Sequence, residues 1–226
     1  MNLILSYANI GRVYNVNLND LVTNKGLPCV DNLPHSSTMI GHKDPRKYTL
    51  ESYRYFCGLS IGKCWEEIFQ MELLLDAVKP VRIVELGTGE GTFTLFLQLY
   101  AAINDMQLYT YDITENMPKK IRDLVTPMGI HYEIKDVFKY IPEIGAIIQQ
   151  EGITLLYCDN GDKPREMREW GPYCKLNDIL VVHDLDTCEV QYSDVEYLLK
   201  RGFIKFSPEW QKTFKGSMQY ILKKKT

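Results

Sequence analysis

Val81-Arg82-Ile83-Val84-Glu85-Leu86-Gly87-Thr88-Gly89-Glu90-Gly91-Thr92 constrains this chain more than any other stretch. An apolar run carries an acid near its end, passes into alternating glycines, and continues into a second apolar segment from Phe93 to Ala102. That order predicts a buried strand, a tight turn and a helix. Glycine reaches positive φ without steric cost and lets a backbone approach a ligand closely. Glu85 sets a carboxylate beside the turn. A carboxylate there favours a ligand with a cationic group over one that presents phosphates.

The rest of the chain extends this unit into a sheet. Residues 65–78 have apolar side chains near helical spacing and stop at Lys79-Pro80, because a residue before proline is pushed out of the helical region. Strands are predicted over 82–86, 107–112, 130–134, 153–158 and 178–183, and helices over 92–102, 118–128, 139–150, 164–173 and 193–201. Such alternation implies a parallel sheet covered on both faces. Segments 202–206 and 218–222 close the pattern. Their link holds Pro208 and Gly216 and no helical periodicity, which predicts an antiparallel hairpin at the sheet edge. Residues 1–63 lack periodicity and are rich in Asn, Pro, Gly and His, with 26–47 reading as extended loop. We expect them to form a cap or lid on a domain spanning 64–226.

Composition narrows the partners. Apolar residues make up 45% and charged residues 24%, ordinary for a soluble globular chain. The formal net charge is −3. The basic run Lys223-Lys224-Lys225 is narrow and reads as a solvated terminus, so no nucleic-acid partner is expected. No apolar run is long enough to span a bilayer, so no membrane partner is expected either. Residues 1–8 lack the charged and apolar regions of a signal peptide. The six cysteines, Cys29, Cys57, Cys64, Cys158, Cys174 and Cys188, include no CxxC pair. Reduced thiols in a cytoplasmic chain are expected, and structural zinc is not.

In an open parallel sheet, ligands bind beyond the carboxyl ends of the strands. The residues placed there are Glu85, Gly87, Gly89, Asp112, Asp136, Asp159, Asn160, His183 and Asp184. Asp and Asn also begin turns and cap helices, so each acid alone is a weak signal and the set is a strong one. The glycines follow GxGxG, with Thr92 where the dinucleotide fingerprint has its third glycine. Asp112 stands about 20 residues beyond the turn, the place of a carboxylate that grips a ribose diol. A pyrophosphate would be repelled by Glu85, whereas the ammonium of a methionine moiety would be attracted.

On these residues, Glu85-Leu86-Gly87-Thr88-Gly89-Glu90-Gly91, Asp112 and the closing hairpin, residues 64–226 resemble the class I S-adenosylmethionine-dependent methyltransferases. The resemblance implies a Rossmann-like three-layer α/β sandwich, with a mostly parallel seven-stranded sheet and a terminal antiparallel hairpin. It implies that Glu85, Gly87, Thr88, Gly89, Gly91 and Thr92 hold the methionine part of the cofactor. Asp112 would take the ribose hydroxyls, Ile113 would lie beside the adenine, and Asp136 and Val137 would flank it. Asp136 reads equally well as a helix N-cap.

Asp159 after the fourth strand and His183-Asp184 after the fifth are similar to the metal-dependent small-molecule O-methyltransferases, the catechol type among them. There such positions hold magnesium, a hard cation that prefers oxygen ligands. Histidine suits zinc, manganese or iron better, so the metal, if one is used, is left open between magnesium and another divalent ion. His183 is open between a metal ligand, a general base and a structural residue. Lys163 is a further candidate base, the alternative being a solvated lysine. His131 falls in a predicted strand and reads as structural. His35 and His42 fall with Tyr48, Tyr53 and Tyr55 in the expected lid. The activity implied is methyl transfer to an oxygen of a small molecule such as a sugar, a phenol or a natural-product precursor. A homodimer is left open. Two other readings stand: a regulatory or structural protein that binds the cofactor without catalysis, and, less favoured by the glycine spacing, a nicotinamide-dependent reductase.

Overall fold

In the computed structural model, residues 55–56, 59–214 and 217–226 are described. Most of the expected lid, including His35 and His42, lies outside them. A short antiparallel pair, β1 (Tyr55–Phe56) and β2 (Leu59–Ser60), precedes helix α1 (Trp65–Val78). Then follow β3 (Arg82–Leu86), α2 (Thr92–Ile103), β4 (Gln107–Asp112), α3 (Lys119–Val125), β5 (His131–Ile134) and α4 (Ile141–Ile148). The second half holds β6 (Thr154–Cys158), α5 (Lys163–Trp170), β7 (Ile179–Val182), α6 (Tyr192–Leu199), β8 (Phe203–Lys205), α7 (Pro208–Thr213) and β9 (Tyr220–Lys224).

The seven main strands form one sheet in the order β5-β4-β3-β6-β7-β9-β8. The first five in that order pair in parallel, and β9 runs antiparallel between β7 and β8. Strands β3, β6 and β7 are buried at every residue, as parallel strands covered on both faces must be. Alternate residues supply two cores. Val84, Leu86, Leu156, Leu180 and Val182 pack with Ile144, Met167, Trp170 and Leu198, the side chains of α4, α5 and α6. Ile83, Leu155, Tyr157, Val181 and Ile221 pack with Met71, Leu74, Leu75, Phe96 and Leu97 of α1 and α2. Each fully buried aliphatic side chain contributes roughly 1.5–3 kcal/mol, so the sheet's central position follows from its apolar runs. Glu85 alternates onto the α1/α2 face with Ile83, and it is the one acid in that strand.

The expected sheet and its closing hairpin are present, with two corrections near the end. The link between β8 and β9 contains α7, where a non-helical connection was expected. Pro208 stands at the first helical position, which proline favours, and six residues are too few to show periodicity. Strand β9 also runs through Lys223 and Lys224, which pair with Ile179 and Phe203. These lysines are therefore part of an edge ladder and not a free tail. His131 lies in β5 and stacks on Tyr109 at 4.4 Å between ring centroids, and Cys158 and Cys174 are buried free thiols.

Candidate active site

The chain order reverses between β4 and β6, which flank β3 on either side. A crevice opens at such a switch point. Backbone pairing holds its floor level: Gly87 N–H donates to the Tyr111 carbonyl and Asp159 N–H to the Leu86 carbonyl, each at 2.9 Å. Gly87 has φ +100°, and a Cβ there would lie 2.5 Å from the Asp159 carbonyl oxygen. The turn can pass the end of β6 this closely only with glycine. Gly89 N–H donates to Asp112 Oδ2 at 2.7 Å, and Thr114 N–H donates to Asp112 Oδ1 at 3.1 Å. Asp112 thus ties the turn to the end of β4.

The resulting cleft has a volume of about 410 Å³, within the usual range of cofactor sites. Glu85, Gly87, Thr88, Gly89, Gly91, Thr92 and Asp112 all line it, together with Asp159 and Asn160. Glu85 is 1% exposed. Its Oε2 accepts from Thr110 Oγ1 at 2.6 Å and Thr94 Oγ1 at 2.7 Å. Burial pushes its carboxyl up to about 7, against the hydrogen bonds from Thr110 and Thr94. A buried carboxyl poised in this way gains most from a cationic group brought beside it.

Asp159 and Lys63, which line the cleft, belong to a cluster of charges. His183 Nδ1 lies 3.0 Å from both Asp159 Oδ1 and Asp184 Oδ2, and Nε2 lies 3.0 Å from Glu67 Oε1. Carboxylate oxygens only accept, so both ring nitrogens carry hydrogen and the ring is an imidazolium. Burial and Lys63 push the His183 pKa down, but Asp159 and Glu67 outweigh them and hold it above its ordinary value. The Lys63 ammonium forms an ion pair with Asp159 Oδ2. Lys163 is 4% exposed and reaches Asp184 Oδ2 at 2.9 Å and Glu189. It is a buried ion-paired lysine, not the solvated one that its spacing suggested. Burial opposes ionisation of Asp159 and Asp184, yet the neighbouring cations keep both carboxyls below the usual carboxylate range.

Asp159, His183 and Asp184 thus meet, with one donor atom from each within 4.8 Å of the others. Their residue types suit a divalent ion. Their charge state does not fit one: each aspartate already pairs with a lysine, and a metal-bound imidazole must be neutral. Of this cluster's expected residues only Asp159 lines the cleft, with Lys163, His183 and Asp184 outside its lining, and Ile113, Asp136 and Val137 do not reach it either. Ile113 is 58% exposed, Val137 is buried in the core, and Asp136 accepts from Phe138 N–H at 3.1 Å as the cap of a short 3-10 turn. Lys63, Glu67 and Thr94 were not singled out in sequence. Glu67 had a usable signal: it is an acid on the helical stripe that also carries the buried Met71 and Leu74. Lys63 stands in a loop ahead of α1, where no periodicity marks it.

No protein-family profile and no curated protein sequence matches the chain. Solved structures do match. The CmcI structure with S-adenosylhomocysteine aligns with a TM-score of 0.55 at 14% identity, covering 89% of this chain and 94% of that one. CmcI with magnesium and S-adenosylmethionine gives 0.54 at 14% identity over 88% and 85%. A methyltransferase from Geobacter sulfurreducens gives 0.52 at 12% identity over 70% and 77%. The fold is that of the class I S-adenosylmethionine-dependent methyltransferases.

Proposed function

We propose that this chain is an S-adenosylmethionine-dependent methyltransferase acting on an oxygen of a small molecule. The observation that carries the reading is that Asp159 belongs to two structures at once. It lines the cleft formed by the glycine turn, Glu85 and Asp112, and it anchors the buried charge cluster of Lys63, His183 and Asp184. A protein that only bound the cofactor would need the first and not the second. The GxGxG turn and the acid at Glu85 also disfavour a pyrophosphate-bearing nicotinamide cofactor.

The cleft fits S-adenosylmethionine in volume and in chemistry. Glu85 would receive its ammonium and Asp112 its ribose hydroxyls. When bound, the cofactor supplies an electrophilic methyl group on a sulfonium. The chain's own contribution is to bind and orient. The glycine turn brings backbone close, Phe93 and the Lys63–Asp159 pair line the cleft, and that pair would face the acceptor. Fixing an acceptor in line with a bound methyl group supplies much of the acceleration in such transfers. His183, with hydrogen on both nitrogens, positions Asp159 and Asp184 and has no lone pair with which to take a proton. The acceptor class, sugar, phenol or natural-product precursor, remains part of the proposal, as does a lid formed by residues 1–63.

The test is formation of S-adenosylhomocysteine from S-adenosylmethionine in the presence of a panel of hydroxylated small molecules. Turnover that depends on an added acceptor is expected, falling by roughly two orders of magnitude or more in Asp159→Ala. Full activity in both Asp159→Ala and Asp184→Ala would overturn the chemistry assigned to this cluster.

A further inference from the structure

We propose that Lys63 is the resident cation of this site. Its ammonium fills the role a divalent metal would play beside Asp159 and His183, and it closes the Asp159–His183–Asp184 trio to metal. The inference rests on the reading of the cleft as a methyl-transfer site.

The trio has a metal site's residue types and spacing, with donor atoms within 4.8 Å of one another. Its donors are nevertheless spent. Lys63 Nζ pairs with Asp159 Oδ2 and stands 3.5 Å from His183 Nδ1. A metal bound to Asp159 would add a third positive charge to a carboxylate that already faces the Lys63 ammonium and the His183 imidazolium, in a buried setting where like charges repel strongly. His183 Nδ1 is committed between Asp159 Oδ1 and Asp184 Oδ2, and Nε2 faces Glu67 Oε1, which also accepts the Met218 N–H at 3.0 Å. No ring lone pair is left for a metal. Asp184 Oδ2 is bound in turn by Lys163.

The position of Lys63 is itself built. Its side chain is 6% exposed. The ammonium lies 5.3 Å from the Phe93 ring centroid and 5.7 Å from that of Tyr157, and aromatic faces attract a desolvated cation. Lys63 also lines the cleft. An ammonium has three N–H donors, and Asp159 takes one, so the group can meet an acceptor oxygen without leaving its seat.

The experiment is titration of chelator-treated, full-length protein with Mn²⁺, read as the loss of the free-ion signal in electron paramagnetic resonance. Wild type, Lys63→Arg, Lys63→Met and Lys63→Gln are compared, and S-adenosylhomocysteine binding is measured on each sample. Wild type and Lys63→Arg are expected to leave the free Mn²⁺ signal unchanged. Lys63→Met and Lys63→Gln leave Asp159 without that ammonium and are expected to bind Mn²⁺ tighter by roughly ten-fold or more. Micromolar Mn²⁺ binding by wild type overturns the proposal, whatever the variants do. So does a folded Lys63→Met or Lys63→Gln that binds S-adenosylhomocysteine and gains no affinity for Mn²⁺. Loss of S-adenosylhomocysteine binding in wild type would sink the methyl-transfer reading instead, and the Mn²⁺ result would still decide on Lys63.

Discussion

At the scale of single residues, the site joins groups that were legible in the sequence to groups that were not. Strand-end position marked Glu85, Asp112, Asp159, His183 and Asp184, because a strand's carboxyl end is fixed by its apolar run. Lys63 arrives from outside the alternating pattern, and its partner lies 96 residues away in sequence, so no local spacing reveals it. Glu67 was hidden for a different reason. Its stripe reads as core, and the groups that face its Oε1, His183 and the Met218 N–H, come from segments far away in sequence. Removing it leaves a buried imidazolium against fewer acids, so Glu67→Ala is expected to cost about 3–5 kcal/mol, measured by urea unfolding. Glu85 gives a pH prediction. Its folded-state carboxyl is raised from 4.5 to about 7. Stability from the protonated group is therefore full below about 4.5 and is lost as pH rises through 7. A cationic ligand reverses the preference and expels the proton. S-adenosylhomocysteine binding should tighten as pH rises through 7, with proton release seen by calorimetry in buffers of different ionisation heat. Both effects should vanish in Glu85→Gln.

At the scale of elements, apolar periodicity located every main strand and its helix partner, because buried parallel strands and amphipathic helices differ in period. Boundaries drifted where local chemistry competed. The 139–150 helix begins at Ile141 because Asp136 first caps a 3-10 turn over Val137–Lys139. Helix α7 escaped notice because six residues beginning with proline show no period. Two element-level predictions follow from packing. Gly87→Ala drives a Cβ into the Asp159 carbonyl, displacing the turn from β6. It should lower the melting temperature and abolish S-adenosylhomocysteine binding together. Trp170 is fully buried at the end of α5, the helix whose first residue is Lys163. Trp170→Ala should destabilise by about 3–5 kcal/mol, read as a shift in the urea midpoint.

At the scale of the whole molecule, the sheet order decides where chemistry happens. The reversal between β4 and β6 opens the cleft, β6 carries Asp159 into its lining, and β7 carries His183-Asp184 to the side of Asp159. Among the described residues, no helix is long and apolar enough to cross a membrane. The fold was legible because seven strands and their partners follow the simplest pattern a sequence can show. The balance of charge around Asp159 was not, since it depends on which side chains separate segments bring together. The central claim is that the cleft between the glycine turn and Asp112 holds S-adenosylmethionine. Calorimetric titration of the full chain with S-adenosylhomocysteine tests it most directly. Saturable binding at one site per chain, weakened by at least roughly ten-fold in Asp112→Ala, is the predicted result. No detectable heat with folded wild-type protein would contradict the account.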